Sequence, residues 1–125
     1  MQLRLKDTKV KSMQLSPKAP DHDKQEGDLK FSVGTAFSES SNKSFLITFE
    51  LQLTLDEAIL DIVYDSVFET SESIDEEFKA SHFPKVNAPA IAFPYLRAFI
   101  STFLINAGYD PIMLPSINFQ ALANK

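Results

Sequence analysis

The sequence SFLITFELQLTLDEAILDIVYDSVF, residues 44–68, decides the fold because apolar and polar side chains alternate through two successive segments. The odd positions from Phe45 to Leu55 are all Phe, Ile or Leu, and most positions between them are polar. Asp56 and Glu57 form a turn, after which Leu60, Ile62, Tyr64 and Phe68 resume the alternation. A period of two is typical of a strand with one buried face in an antiparallel sheet. Two such strands joined by a short turn predict a β-hairpin.

Two further strands are predicted on the N-terminal side of this hairpin. Residues 2–15 alternate with a change of phase before Val10, which indicates a bulge or a bend, and Pro17 and Pro20 end the segment. Residues 21–28 form a polar loop, residues 29–37 alternate again, and residues 38–43 have the composition of a turn. We therefore expect an α+β fold in which a four-stranded antiparallel sheet is followed by a long helix, all within a single domain spanning 1–125.

The long helix is predicted over residues 94–107, after a stretch, 70–86, that allows either a short helix or a crossover loop. Pro94 suits the first turn of a helix, and Gly108 is the expected C-terminal stop. Arg97 is the only charge in this helix, which is apolar nearly all round and must be buried on more than one side. The sheet covers one side, so we expect a second copy of the chain to cover the other. The interface is predicted on two adjacent ridges of the helix: Leu96, Phe99, Ile100, Phe103 and Leu104.

Membrane insertion of residues 88–107 is disfavoured, although their length would suffice. Arg97 lies at the middle of the stretch and two prolines lie in its first third. A charge at the centre of a bilayer is costly, so a buried helix is the better interpretation.

The charge distribution argues against nucleic acid as a partner. The net charge is -5, and residues 44–78 contain ten acidic residues and no Lys or Arg. Phosphate binding requires clustered basic side chains. The acidic run is either a solvated strand face with a charged linker, or a docking face for a basic partner.

Residues suited to catalysis or metal binding are scarce. The chain has no cysteine, which excludes disulfides and thiolate metal sites and fits a reducing cytoplasm, and its only histidines are His22 and His82. Asp21-His22-Asp23 offers hard metal ligands, but it lies in a polar loop and is expected to be solvated. There is no glycine-rich phosphate loop. We therefore expect neither an enzyme nor a cofactor.

The segment after the helix is unusually apolar for a surface loop. It contains Tyr109, Ile112, Met113 and Leu114, with prolines at 111 and 115 that restrict its path. Either the loop closes over its own sheet, or it forms the wall of a groove that binds apolar chain segments. The flexible methionine side chain adapts to varied apolar partners. Each large apolar side chain of a bound polypeptide that is buried in such a groove would contribute about 1.5–3 kcal/mol to the free energy of binding.

Residues 89–122 resemble the C-terminal region of the SecB family of bacterial export chaperones. Phe93, Pro94, Tyr95 and Arg97 match the family's helix start, and the following loop matches at Gly108, Pro111, Leu114, Pro115, Ile117, Asn118 and Phe119. The resemblance implies an ATP-independent chaperone that holds unfolded or export-bound polypeptides and delivers them to the translocase motor SecA. It also implies a cytoplasmic homotetramer, a dimer of dimers with the long helices at its centre.

The resemblance also implies roles for particular residues. The bound polypeptide is expected to contact Tyr109, Ile112, Met113, Leu114 and Phe119. SecA is expected to contact the acidic hairpin through Asp56, Glu57, Asp61 and Asp65.

Three features depart from the family pattern. Ala90 and Leu96 replace the Asn and Ala that are frequent in the family, and the first strand is basic where the family tends to be acidic. The sequence ends at Lys125, so we expect a short member without the usual second helix and SecA-binding tail. We therefore expect any interaction with SecA to be weaker than that of full-length relatives. An alternative is a SecB-like chaperone dedicated to an antitoxin of a toxin–antitoxin system.

Overall fold

The computed structural model describes residues 1–19 and 25–124, and the Asp21-His22-Asp23 motif lies outside these residues. Four strands are followed by helices. The elements are β1 (Leu3–Pro17), β2 (Leu29–Phe37), β3 (Ser44–Thr54), β4 (Ala58–Thr70), α1 (Glu76–Ala80), a π-helical turn (Phe83–Asn87), α2 (Ala88–Asn106) and α3 (Phe119–Ala123). This arrangement confirms the predicted α+β fold.

The sheet is antiparallel, with the strand order β1-β4-β3-β2. The hairpin that the alternation predicts is its centre, since β3 pairs with β4 from Ser44↔Glu69 to Thr54↔Ile59. The Leu55 N–H donates to the Ala58 carbonyl over 2.8 Å and closes the turn. Even-numbered residues of β4 and odd-numbered residues of β3 are buried on the face that the helices cover.

β1 changes register twice against β4, and the change of phase before Val10 predicted the first of these irregularities. The shifts lie between Leu5 and Asp7 and between Val10 and Ser12. Each shift keeps the apolar residues Leu3, Leu5, Val10 and Leu15 against the core despite the irregular spacing.

The stretch between the sheet and the long helix contains a short helix, α1. The Asp75 carboxylate caps it by accepting a hydrogen bond from the Phe78 N–H over 2.8 Å, and Phe78 is buried. Asp side chains are favoured at this position because they satisfy an amide that has no partner within the helix.

The predicted start of the long helix at Pro94 is wrong. α2 begins at Ala88 and contains Pro94 in its interior, while Pro89 occupies its first turn. The missing N–H of Pro94 leaves the Ala90 carbonyl without its helical donor. Ala90 is exposed, so water is available to that carbonyl, and the helix continues through the proline.

The core consists largely of phenylalanine rings between the sheet and the helices. Phe49 lies at its centre, with ring centroids 5.5 Å from Phe31, 5.9 Å from Phe93 and 6.2 Å from Phe119. Rings from β2, β3, α2 and α3 therefore meet at one point. This cluster anchors the long helix and the C-terminal helix to the sheet.

Candidate functional site

The loop after α2 starts from a closed helix end. The Tyr109 N–H donates to the Leu104 carbonyl over 2.9 Å, and the Gly108 N–H donates to the Ile105 carbonyl over 3.2 Å. This pair of hydrogen bonds is a Schellman motif, and Gly108 has the positive φ of 93° that the motif requires. The chain thereby reverses and returns along α2. This confirms the prediction that Gly108 ends the helix.

A groove of about 360 Å³ lies between α2 and this returning loop. We call it the loop groove. Its lining residues are Pro94, Arg97, Ala98 and Ser101 of α2 and Pro111, Ile112, Met113 and Leu114 of the loop. The lining is mostly apolar, and the Met113 side chain stands in solvent with 88% of its surface exposed.

The five residues expected to contact a bound polypeptide fall into an accessible group and a buried group. Tyr109 and Ile112 are half-buried and Met113 is exposed, so these three are accessible. Leu114 and Phe119 are only 4% and 5% exposed and pack with the core, although Leu114 also lines the loop groove. Both side chains belong to the core cluster between the sheet and the helices, Leu114 from the loop and Phe119 from α3.

A second groove, of about 340 Å³, lies beside β2, and none of its residues was predicted from the sequence to belong to a site. We call it the edge groove. Phe31, Ser32, Val33 and Thr35 of β2 line one side, and Pro84, Lys85, Pro89, Leu122 and Ala123 line the other. Its walls come from segments that are distant in the chain, so no local sequence pattern marked it.

α2 carries an exposed stripe on the side opposite the sheet. Ile91, Tyr95 and Ile105 are 41%, 54% and 60% exposed, and Ala98 and Thr102 lie between them at helical spacing. We call these five residues the outer stripe. They leave apolar surface in water along one whole side of the helix.

The oligomer interface predicted on α2 needs correction. Leu96, Ile100 and Leu104 are 0% exposed because they pack against the subunit's own sheet, so no second copy can reach them. Phe99 and Phe103 are half-buried and stack on each other with ring centroids 6.1 Å apart. The sequence correctly indicated two apolar sides, but the ridge assigned to the partner faces the core.

Arg97 does not prevent α2 from being a core helix. The continuous helical segment Phe83–Asn106 is long and apolar enough to cross a membrane, and 39% of its most apolar window is buried within the subunit. The Arg97 guanidinium lies 6.0 Å from the Phe93 ring centroid, where the ring face attracts the cation. The packing of this segment on the sheet favours a core helix over a membrane span.

The four carboxylates assigned to the acidic hairpin lie in different surroundings. Asp56 and Glu57 are exposed at the turn. Asp61 accepts a hydrogen bond from Gln52 Nε2 over 2.9 Å. Asp65 accepts one from Thr48 Oγ1 over 2.7 Å and lies opposite Lys9 of β1.

Basic residues of β1 reach across to another carboxylate of β4. Glu69 Oε1 lies 3.3 Å from Lys6 Nζ and 3.1 Å from Arg4 Nη2. The hydrogen bond from Lys6 lowers the pKa of Glu69, assisted by the hydrogen bond from Arg4 and by both positive charges. The acidic run that looked uncompensated in sequence is therefore partly compensated by its neighbouring strand.

No cluster of three or more His, Cys, Asp or Glu side chains suited to a metal ion occurs within residues 1–19 and 25–124. The accessible features described above are two apolar grooves, the outer stripe and an exposed acidic turn, and the sheet also carries a more polar concavity of about 530 Å³ lined by residues that include Lys30, Glu50 and Asp61. Exposed apolar surface of this kind is typical of interaction sites.

Comparison with known proteins gives one family match over nearly the whole chain. The family described as "Preprotein translocase subunit SecB" matches residues 2–125. A "Protein-export protein SecB" of Magnetococcus marinus is 29% identical over 118 residues, which cover 86% of this chain and 72% of that protein. An uncharacterized protein of Methanocaldococcus jannaschii is 49% identical over 51 residues, 41% of this chain. The match spans only 31% of that protein's length.

Among solved structures, the fold is similar to that of a Mycobacterium tuberculosis SecB-like chaperone in complex with a ChAD peptide from the HigA1 antitoxin. The TM-score is 0.69, and the match covers 92% of this chain and 87% of that one. The sequence identity is 16%, so this similarity concerns the fold.

Proposed function

The chain belongs to the SecB family, and on that premise we propose that it is an ATP-independent chaperone that holds unfolded polypeptides in apolar grooves. The observation that carries this proposal is the loop groove, in which the Met113 side chain is 88% exposed beside other apolar residues. An exposed apolar surface of this kind gains free energy by covering a client's apolar side chains, at about 25 cal/mol per Å² of apolar surface buried. Folded proteins bury those side chains themselves, so the groove distinguishes unfolded clients from folded ones.

The functional unit that we propose is a homotetramer, in which the outer stripe is the contact between helices of two copies and edge-to-edge pairing of the first strand joins two such pairs. The stripe is nearly symmetric about Ala98. Ile91 and Ile105 lie seven residues to either side, and Tyr95 and Thr102 lie three before and four after. Two antiparallel helices related by a twofold axis at Ala98 would pair Ile91 with Ile105 and Tyr95 with Thr102 of the other copy. The small Ala98 would allow close approach at the crossing.

Delivery to SecA is a separate part of the proposal and rests on the acidic turn. Asp56 and Glu57 are exposed and no salt bridge engages them in the described part of the chain. Asp61 has only an amide partner. These three carboxylates, rather than Asp65, are available to a basic partner. Such a role places the protein in the cytoplasm.

A chaperone dedicated to an antitoxin is the second candidate function. The M. tuberculosis protein whose fold this chain shares is described in complex with an antitoxin peptide. In that case the grooves would hold one antitoxin segment tightly, rather than many clients weakly.

Suppression of aggregation tests the main proposal. A chemically denatured, aggregation-prone enzyme is diluted into buffer with or without the protein, in the absence of nucleotide, and light scattering is followed. We expect scattering to fall as the protein approaches stoichiometric amounts. The same enzyme in its native state serves as the control and should not bind. Scattering that is unchanged at molar excess would overturn the proposal.

A further inference from the structure

Methionine thioethers are the only sulfur groups of this chain that an oxidant can attack, since the chain has three methionines and no cysteine. Met1 and Met13 are 37% and 40% exposed, whereas Met113 is 88% exposed. The Met1 sulfur also accepts a hydrogen bond from Ser71 Oγ over 3.9 Å. Because a peroxide reaches a sulfur atom through solvent, Met113 is the methionine most open to oxidation.

Met113 also lies at a place where the polarity of its side chain matters. It lines the loop groove beside Ile112 and Leu114, and a polypeptide covering this groove would bury the Met113 side chain against its own apolar groups. The thioether suits that contact because it is flexible and almost non-polar. A sulfoxide is polar, and its oxygen is a hydrogen-bond acceptor that loses its water when it is covered. Oxidation therefore changes the property on which client holding depends.

The opposite wall of the loop groove carries a donor that suits a sulfoxide oxygen. Arg97 is the only charged residue that lines the groove, and it is half-buried. Its guanidinium lies 6.0 Å from the Phe93 ring centroid and takes part in no salt bridge with any residue of the ranges 1–19 and 25–124. A guanidinium offers five N–H donors, for which a thioether is a weak acceptor. The oxidised side chain supplies the acceptor that the reduced one lacks.

We propose that Met113 is a reversible oxidation site that switches off client holding at the loop groove. This inference rests on the proposed chaperone function and concerns the regulation of that function. In the reduced protein the Met113 side chain stands in solvent and leaves the groove open to a client. In the oxidised protein the sulfoxide oxygen accepts a hydrogen bond from Arg97, and the side chain then covers the apolar lining that a client needs.

The oxidant of this step is a hydroperoxide. A lone pair of the Met113 sulfur attacks one peroxide oxygen, the O–O bond breaks, and the proton on the sulfur-bound oxygen passes to the departing hydroxide or alkoxide. The sulfur loses two electrons, and the peroxide is reduced to water or to water's organic counterpart, an alcohol. The transfer needs access to the sulfur rather than a base from the protein. Methionine sulfoxide reductases reverse the change, with one enzyme for each sulfoxide epimer.

Limited oxidation of the whole protein tests the inference. The protein is treated with hydrogen peroxide, catalase removes the peroxide, and peptide mass spectrometry locates the added oxygen. Fluorescence anisotropy then measures the affinity for fluorescein-labelled, carboxymethylated α-lactalbumin, which stays unfolded. We expect Met113 to gain oxygen before Met1 and Met13, and the affinity to fall by roughly fivefold to a hundredfold. Sulfoxide reductases should restore the affinity. Earlier oxidation of another methionine, or unchanged affinity once Met113 is fully oxidised, would overturn the inference.

Matched variants, each compared with itself before and after peroxide, identify the residues responsible. The affinity of Met113→Leu should not change on treatment, whereas Met13→Leu should lose affinity as the wild type does. Arg97→Leu should lose less, because the sulfoxide lacks its donor and the groove stays open. Arg97→Lys keeps a cationic donor and should behave like the wild type. A wild-type loss in Met113→Leu would overturn the role of Met113, and a wild-type loss in Arg97→Leu would overturn the closure through Arg97.

The outcomes separate this inference from the proposed function. If the untreated protein fails to bind unfolded α-lactalbumin, the chaperone function is wrong and this inference is wrong with it. If the untreated and the oxidised protein bind equally well, only the regulation through Met113 is wrong. Urea unfolding checks the cause of any loss. The free energy of unfolding should be unchanged by oxidation because the Met113 side chain lies outside the core, and a large decrease would contradict closure of the groove.

Discussion

Met113 and Leu114 are neighbours in the chain, yet the first side chain is 88% exposed and the second only 4%. The loop after α2 thus turns the Met113 side chain outward and anchors Leu114 in the core, where Leu114 still lines the loop groove. The sequence does not distinguish the two, because both are apolar residues between Pro111 and Pro115. The structure gives them separate roles and separate consequences on mutation.

Met113→Glu should leave the free energy of unfolding almost unchanged and weaken client holding, because the charge enters the groove rather than the core. Leu114→Glu should destabilise the subunit by at least about 3 kcal/mol, since it buries a charge with no partner. Urea unfolding and the aggregation assay measure the two effects. Met113→Leu is the control and should retain both properties. Unfolding of Met113→Glu to the same extent as Leu114→Glu would contradict this account of the loop.

The outer stripe predicts a defined oligomer. Replacing both Ile91 and Ile105 with Glu should dissociate the oligomer. Each replacement removes about 1.5–3 kcal/mol of favourable burial free energy from the interface, and a twofold interface contains each residue twice. Light scattering coupled to size exclusion measures the mass. Asn106→Glu, exposed but outside the stripe, is the control. A wild-type protein that stays monomeric at micromolar concentration would contradict the proposed assembly.

SecA binding should depend on the exposed acidic turn more than on the strand carboxylates. The double change Asp56→Lys and Glu57→Lys should weaken binding, and added salt should weaken the wild-type interaction, because exposed charges are screened. Asp65→Asn should have less effect, since Asp65 is already engaged by Thr48 and faces Lys9. Calorimetry at low salt measures the affinities. Undiminished binding after the double charge reversal would show that the turn is only a solvated surface.

Glu69 should make stability depend slightly on pH. Lys6 and Arg4 lower the pKa of Glu69 in the folded state, so its contribution is fully present above the unfolded pKa. That contribution is lost as the pH falls through the lowered folded pKa. Glu69→Gln should therefore be slightly less stable than wild type at neutral pH, and equally stable in acid below that pKa. Urea unfolding at several pH values measures the difference, which should shrink with added salt.

Phe49→Ala tests the ring cluster that joins the helices to the sheet. Phe49 is 0% exposed and contacts rings from β2, α2 and α3. Its truncation should lower the free energy of unfolding by about 3–5 kcal/mol through lost burial and a residual cavity. Denaturant unfolding measures the loss. A cost below about 1 kcal/mol would mean that the cluster relaxes freely or is not packed as described.

The sheet was predictable from the sequence because its signal is local. The alternation from Phe45 to Phe68 specifies the hairpin, and the change of phase before Val10 specifies the irregularity of β1. The start of α2 was not predictable in the same way. Whether a proline opens a helix or lies inside it depends on whether the carbonyl four residues earlier reaches water, and the exposure of Ala90 is a tertiary property.

The sequence predicted that apolar surface is accessible, but it did not predict which residues form that surface. Sequence periodicity indicated that α2 has two apolar sides, but which side faces the sheet depends on the register between α2 and the strands. Leu96 and Ile105 look alike in sequence, although one is fully buried and the other is 60% exposed. The edge groove escaped prediction because its walls come from β2, the π-helical turn and α3, which are distant in the chain.

Site-specific crosslinking from the loop groove tests the central claim most directly. The chain contains no cysteine, so Met113→Cys and Glu39→Cys each create a single attachment site for a photo-crosslinker. Residue 39 lies in an exposed turn that belongs to neither groove and serves as the control. We expect position 113 to crosslink to a denatured client but not to its native form, and position 39 to crosslink to neither. Equal crosslinking from both positions, or none from position 113 while the client is held, would contradict the account.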